Sequence, residues 1–195
     1  MSLMAKNSFI RYTDEYLMEQ IVRSDKAAFT ELYSRWVLRV KQFYLRLCDY
    51  EEELADDLTQ DVFLKILEKA QSFDLNSKFS SWLFTIAYNH FKNDLRRRKH
   101  DETYRIEDAQ TEDILEPDFE KMIDLEASSQ FTDLILNSLG EEVKTIFILR
   151  YVEELTVPEI AKITSTPEGT VKSRLYYALR KLSKERQHYK LSEWL

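Results

Sequence analysis

The feature that most restricts the fold is a pair of helical segments near the C-terminus, separated by a tight break. The first segment covers residues 159–163, and the second begins near Pro167. In the second segment the apolar residues recur at helical spacing, which predicts that they share one buried face. They are Val171, Leu175, Ala178, Leu179 and Leu182. Hydrogen-bond donors and cations occupy the other side, at Thr170, Lys172, Ser173, Arg174, Tyr177 and Lys181. A braced helix of this kind is typical of a helix-turn-helix that enters the DNA major groove.

The residues around the break favour the same interpretation. Thr166 is predicted to cap the second helix, Pro167 suits its first position, and Glu168 lies at the positive end of its dipole. Gly169 lowers helix stability, but it removes the side chain that would hold the backbone away from a phosphate. Between residues 169 and 190 there are seven Lys/Arg residues and one acid. The alternative is an ordinary solvated helix. It does not account for a supporting first helix, an N-terminal cap and a basic face occurring together.

Composition predicts the fold class and excludes several kinds of function. Two glycines, three prolines and few runs of alternating apolar and polar residues predict an all-α protein. So few glycines cannot build a phosphate-binding loop, the single cysteine excludes a disulfide framework, and the three histidines are not spaced as helical metal ligands. We therefore expect neither an enzyme nor a cofactor. No membrane span or leader is evident, so we expect a cytoplasmic protein without membrane insertion.

The acidity of the chain is concentrated in one segment. The net charge is −7, whereas residues 101–126 contain eleven acids and two bases and carry −9, so the remainder carries +2. This segment lacks a sustained apolar period, which predicts a flexible linker. We therefore predict two small helical domains, at residues 8–100 and 127–190, joined by the acidic linker.

The N-terminal domain contains a helix with an unusual outer face. A helix predicted over residues 51–70 carries Asp57, Gln60, Asp61 and Leu64 on the side opposite its apolar stripe. A leucine ringed by acids has two interpretations that the sequence leaves open. It is either part of a solvated face or a docking surface for a basic partner helix.

The fourth predicted helix begins at Ser80 as its cap and ends in a cationic run, residues 96–99. Its aromatic residues, with those of the preceding loop, are Phe73, Phe79, Trp82, Phe84, Tyr88 and Phe91. They are too many for one core stripe, so we expect some of them at the surface, where rings and cations together could hold unstacked bases. The alternative is that the rings are core and the arginines are a soluble helix end.

Three stretches, in order, resemble bacterial sigma factors. Residues 57–65 resemble the conserved region 2 helix, residues 82–89 with Leu95-Arg96-Arg97 resemble the next helix of that region, and residues 169–175 resemble region 4. A short linker with no region 3 domain between them is similar to the extracytoplasmic-function (ECF) group. The resemblance covers about residues 16–182.

The resemblance implies roles for individual residues. It implies that core RNA polymerase binds Asp57, Gln60, Asp61 and Leu64. It implies that the melted −10 element of promoter DNA is bound by Asn76, Lys78, Ser80, Trp82, Tyr88, Asn89, Lys92, Arg96 and Arg97. It implies that the −35 duplex is bound by Thr166, Pro167, Glu168, Gly169, Thr170, Lys172, Ser173, Arg174, Tyr177 and Lys181. The linker would run toward the polymerase active centre, unless it is a passive tether. An anti-sigma factor is a further partner that the resemblance allows.

Two residues depart from the family pattern. Asn93 replaces an acid that many members carry. Ser165 stands in the turn where glycine is common, a position expected to need a left-handed backbone at a cost of about 1 kcal/mol. The alternative function is a free-standing helix-turn-helix regulator with an N-terminal sensor domain, which leaves the motifs at 57–63 and 82–97 unexplained.

Overall fold

A computed structural model describes the backbone of residues 12–100, 136 and 138–192, and the side chains of residues 12–98, 136 and 138–184. The chain divides into two compact units, Met1–Tyr104 and Arg105–Leu195. Within the described ranges every regular element is helical, which confirms the predicted all-α class. The predicted acidic linker, residues 101–126, lies outside the described residues.

The helices of the N-terminal unit are α1 (Asp14–Val22), α2 (Lys26–Leu47), α3 (Glu52–Lys69) and α4 (Phe79–His100), with a short 3₁₀ turn at Ala70–Ser72. Asp25 caps α2, because its carboxylate accepts hydrogen bonds from the amides of Ala27 (2.8 Å) and Ala28 (3.2 Å). Such a cap satisfies donors that the first helical turn leaves without a partner.

The start of α4 differs from the prediction. The helix begins at Phe79, one residue before Ser80, so Ser80 lies in the first turn instead of capping it. The amide of Phe79 donates to the carboxylate of Glu15 on α1 at 3.0 Å. An anion from a distant helix therefore stabilises the positive end of α4.

Helix α1 is held to the rest of its unit by apolar packing and by one carboxylate. Leu17 and Met18 are fully buried. Asp14 accepts hydrogen bonds from the Arg35 guanidinium at 2.9 Å and from the Trp36 indole at 2.8 Å, both on α2. The two oxygens of one side chain thus fix α1 against α2.

The helices of the C-terminal unit are α5 (Glu141–Tyr151), α6 (Val157–Thr164) and α7 (Glu168–Ser192). Helix α5 is buried on nearly all sides over residues 143–149, as expected for a central helix that others cover. Helix α6 begins with a capping box in which Thr156 and Glu159 satisfy each other's backbone amides.

The turn between α6 and α7 shows one confirmed prediction and one wrong one. Ser165 has φ 53° and ψ 40°, the left-handed conformation expected there. The predicted cap is displaced, because α7 begins at Glu168 and Pro167 accepts its first helical hydrogen bond, from Val171 (3.0 Å). The Thr166 hydroxyl donates instead to the carbonyl of Thr164 at 3.3 Å, which closes the preceding turn.

Candidate polymerase and nucleic-acid interfaces

The outer face of α3 carries the acid-ringed leucine predicted from the sequence. Leu64 is 58% exposed, and Asp57, Gln60 and Asp61 are exposed beside it. Leu67 is 43% exposed one turn further along. The face therefore combines apolar anchors with carboxylates, a composition suited to a basic partner surface.

Asp61 on this face has a partner that the sequence did not indicate. The Nε2 atom of His90 on α4 lies 3.0 Å from the Asp61 Oδ2 atom. The pKa of His90 is lowered chiefly because burial disfavours the imidazolium and also because Lys65 is nearby, while Asp61 and Asp94 oppose these effects. A neutral ring with its hydrogen on Nε2 donates a hydrogen bond to the Asp61 carboxylate at this distance.

The expectation that some aromatic rings around α4 lie at the surface is wrong for five of the six. Five of the six are buried, namely Phe73, Phe79, Phe84, Tyr88 and Phe91. The rings pack against α2 and against each other, with centroids 5.5 Å apart for Trp36 and Phe79 and 5.2 Å apart for Phe43 and Phe84. They form part of the packed core instead of a row of exposed stacking surfaces.

This burial changes the status of Tyr88 as a DNA contact. Tyr88 is only 7% exposed, and the Lys92 ammonium lies 5.8 Å from the centre of its ring. Its face is thus covered by a neighbour on the same helix, which speaks against base stacking by Tyr88. Trp82 keeps partial exposure and packs against Phe73 with a centroid distance of 5.1 Å.

The loop before α4 is ordered by one aspartate. The Asp74 carboxylate accepts hydrogen bonds from the backbone amide (2.9 Å) and the side-chain amide (3.1 Å) of Asn76, and its carbonyl accepts from the Ser77 backbone. This is an Asx turn. Asn76 and Lys78 are exposed in the loop, and further along α4 the exposed polar residues include Asn89, Arg96 and Arg97.

Helix α7 exposes part of the predicted duplex-binding set on one side. Ser173 lies one turn after Gly169, and Tyr177, which is 53% exposed, lies one turn further on. An added Cβ at Gly169 would meet nothing within 4 Å, so nothing in the described part of the protein needs a glycine there. Of the predicted set, Pro167 and Glu168 are exposed, and Thr166, Thr170, Lys172, Ser173, Arg174 and Lys181 are partly exposed.

Two of the predicted cations lie at the flank of this face instead of its centre. The Arg174 guanidinium forms an ion pair with Glu142 on α5 at 2.5 Å, and its side chain is 23% exposed. The Lys181 ammonium donates to the carbonyl of Ser138 at 2.7 Å. Both side chains therefore have a partner within the C-terminal unit.

Two cations of α7 were counted in the basic content of this segment but left out of the predicted duplex-binding set. Arg180 and Lys184 are exposed and continue the line of Ser173 and Tyr177 at helical spacing. The signal that finds them is this i+3/i+4 spacing, extended by two more turns.

The described side chains contain no group of three His, Cys, Asp or Glu residues placed to hold a metal ion. Among the described helices none has the length and apolarity needed to cross a bilayer.

Comparison with known proteins links these surfaces to one family. The family description "Sigma-70 region 2" matches residues 32–100, and "Sigma-70, region 4" matches residues 132–182. The chain is 30% identical over 178 residues to the ECF RNA polymerase sigma factor SigW of Bacillus subtilis, covering 86% of this chain and 94% of that protein. It is 34% identical over 175 residues to the ECF RNA polymerase sigma-E factor of Haemophilus influenzae, covering 85% and 91%.

Two solved structures share the fold. One is the sigma factor RpoE in complex with the anti-sigma factor NepR from Bartonella quintana, with a TM-score of 0.61, 26% identity, and coverage of 80% of this chain and 94% of that one. The other is CnrH in complex with the cytosolic domain of CnrY, with a TM-score of 0.63 over 90% and 97% of the two chains. At 20% identity the second likeness concerns the fold alone.

Proposed function

Because the chain belongs to the ECF group of RNA polymerase sigma factors, which bind core RNA polymerase and direct promoter-specific initiation, we propose that three surfaces divide this task. The outer face of α3 binds core polymerase, the loop 74–78 with α4 binds the −10 element, and α7 binds the −35 element. The family consists of initiation factors without catalytic activity, so specificity comes from binding. We propose that the protein acts in the cytoplasm.

The polymerase-binding role of α3 rests on the exposure of Leu64 among Asp57, Gln60 and Asp61. A central apolar side chain supplies buried area in the complex, while carboxylates around it steer a basic partner into register. An exposed leucine of similar size, Leu38 on α2, is 63% exposed and lies outside this set. It provides a matched control.

The −10 role of α4 follows from a rigid frame and exposed polar groups. The buried rings keep α4 fixed, Trp82 offers partial exposure beside the ordered loop, and Asn76 is presented by Asp74. Exposed Arg96 and Arg97 at the far end neutralise phosphates. A base extruded from the duplex can be accepted there, and sequences that release bases cheaply are favoured.

The observation that carries the −35 assignment is the exposed side of α7, where Gly169, Ser173 and Tyr177 follow one another at one-turn spacing. The free amides of the first helical turn and the bare backbone at Gly169 suit a phosphate. The side chains that follow suit groove contacts, with Arg180 and Lys184 extending the cationic stripe toward the adjacent backbone.

The decisive experiment is run-off transcription with core RNA polymerase over a genomic promoter library. We expect transcripts from a defined set of promoters that share two sequence elements. In a titration of core polymerase without DNA, Leu64→Ala should weaken core binding about fivefold, whereas Leu38→Ala should not. Specific duplex binding without any stimulation of core polymerase would instead support the free-standing regulator.

An anti-sigma partner is a further part of this proposal. The sigma factor of Bartonella quintana was solved with the anti-sigma factor NepR, and we propose that this chain is likewise restrained by such a protein. Affinity purification of the tagged full-length chain with and without added core polymerase tests this. A partner that polymerase displaces supports the proposal, and recovery of polymerase alone contradicts it.

A further inference from the structure

The hydrogen bond between His90 and Asp61 crosses from the interior of the N-terminal unit to its surface. The His90 side chain is 5% exposed, whereas the Asp61 side chain is 55% exposed. The histidine is therefore fixed by the packing of α4. Its hydrogen bond orients Asp61 on the α3 face that includes Leu64. No other residue of this face has a described bond to α4.

The chemistry of the pair preserves what a docking carboxylate needs. One oxygen of Asp61 is held by the ring, and the second oxygen remains for a partner. Because the neutral ring donates a hydrogen bond without adding a positive charge, the carboxylate keeps its attraction for a basic surface. A side chain that is already oriented loses less conformational entropy when it binds.

We propose that His90 is a positioning residue for polymerase binding, which holds the Asp61 carboxylate in the orientation that the α3 face presents to core RNA polymerase. The inference rests on the proposed docking role of that face. His90 belongs to α4, the helix proposed to bind the promoter, but it acts on the polymerase-binding face of the same unit. Polymerase binding and promoter binding thus share one structural support.

Two substitutions of matched polarity test the bond. His90→Gln places an amide donor near the position of the Nε2 atom, whereas the shorter side chain in His90→Asn cannot reach Asp61. The affinity of each full-length variant for core polymerase is measured without DNA, so effects through neighbouring Asn89 do not enter. We expect His90→Gln to bind within about twofold of the wild type and His90→Asn to bind about five- to tenfold more weakly.

The same pair in an Asp61→Ala background separates positioning from general destabilisation. If His90 acts through Asp61, the Gln and Asn variants should bind core polymerase equally once the carboxylate is absent. An Asn-to-Gln difference of the same size in both backgrounds overturns the proposal, and so does no difference in the wild-type background. Circular dichroism confirms that the compared variants are folded. If His90→Asn does not fold, His90→Gln and Asp61→Ala decide the matter. The proposal is supported if His90→Gln keeps the affinity for core polymerase and Asp61→Ala loses it. The proposal is overturned if His90→Gln loses affinity and the loss persists in the Asp61→Ala background.

Leu64→Ala distinguishes failure of this inference from failure of the docking assignment. If Leu64→Ala weakens core binding while the two His90 variants bind alike, the docking face stands and His90 is a structural residue only. If Leu64→Ala, Asp61→Ala and the His90 variants all bind as the wild type does, the docking assignment and the inference are both wrong.

Discussion

Replacing Gly169 by alanine should change stability and DNA binding in opposite directions. Gly169 is the second residue of α7, it does not have a positive φ, and an added Cβ would meet nothing within 4 Å. Alanine is the better helix former by up to about 1 kcal/mol in a helix interior, and we expect about half of that near the helix start. The unfolding temperature of the C-terminal unit should therefore rise by about 2–4 °C.

The methyl group should have the opposite effect on promoter binding. In the proposed complex it would separate the backbone amide from a phosphate, and a hydrogen bond to a charged group contributes about 1.5–3 kcal/mol. Affinity for a −35 duplex should fall by about ten- to hundredfold at fixed salt. Fluorescence anisotropy with the full-length protein measures the affinity, and thermal unfolding followed by circular dichroism measures the stability.

The other glycine of the chain, Gly140, provides the control. Gly140 caps α5 and also has nothing within 4 Å of an added Cβ. Gly140→Ala should lower stability slightly, because alanine is a poor cap, and should leave duplex affinity unchanged. If Gly169→Ala stabilises the protein but binds duplex as tightly as the wild type, the backbone of α7 does not approach a phosphate at this position, and the reasoning is refuted.

Three further predictions concern electrostatics and backbone conformation. Glu142→Gln should free Arg174 and strengthen duplex binding by up to about fivefold at low salt; unchanged anisotropy titrations would show that the ion pair does not compete with DNA. Ser165→Gly should raise the free energy of unfolding by about 0.5–1 kcal/mol, because it relieves a left-handed serine at some cost in unfolded-chain entropy, whereas Ser183→Gly within α7 should lower it in urea titrations. Since the folded pKa of His90 is lowered, the folded state binds fewer protons than the unfolded state, so stability should fall as the pH drops below about 6.5. Urea unfolding of His90→Gln at pH 7.5, 6.5 and 5.5 should show a smaller fall, and an equal fall would assign the loss to other groups.

Local signals accounted for most of the helices and for the turn in the C-terminal unit. The carboxylate of Asp25 and the left-handed Ser165 were predictable because each depends on residues within a few positions along the chain. The displaced starts of α4 and α7 show the limit of this reasoning. At the start of α4 the amide of Phe79 donates to Glu15, which is 64 residues away. No local sequence pattern predicts such a cap.

The aromatic residues around α4 show why burial is harder to predict than helicity. Periodicity identifies a preferred face of one helix but does not state how many neighbours surround it. Here Trp36 and Phe43 of α2 pack against the rings of Phe79 and Phe84. Rings on more than one side of α4 are therefore buried. The surplus of aromatics is a sign of a deeply packed helix, and the alternative that the rings belong to the core was correct for five of the six.

Pairs between helices were not predictable from spacing. The partners Arg174 and Glu142 belong to α7 and α5, and His90 and Asp61 belong to α4 and α3. Which side chains meet depends on the angle and register of packed helices, which one sequence does not specify. Arg180 and Lys184, in contrast, needed only the helical period of the face already identified.

The attachment of α1 has a practical consequence for dissecting the protein. The match to Sigma-70 region 2 starts at residue 32, after the helix that carries Asp14 and Glu15. A fragment trimmed to that boundary would lose the anion that stabilises the start of α4 and would uncover the apolar surface that Leu17 and Met18 now seal. A fragment of the N-terminal unit made for truncation studies should therefore begin no later than Thr13.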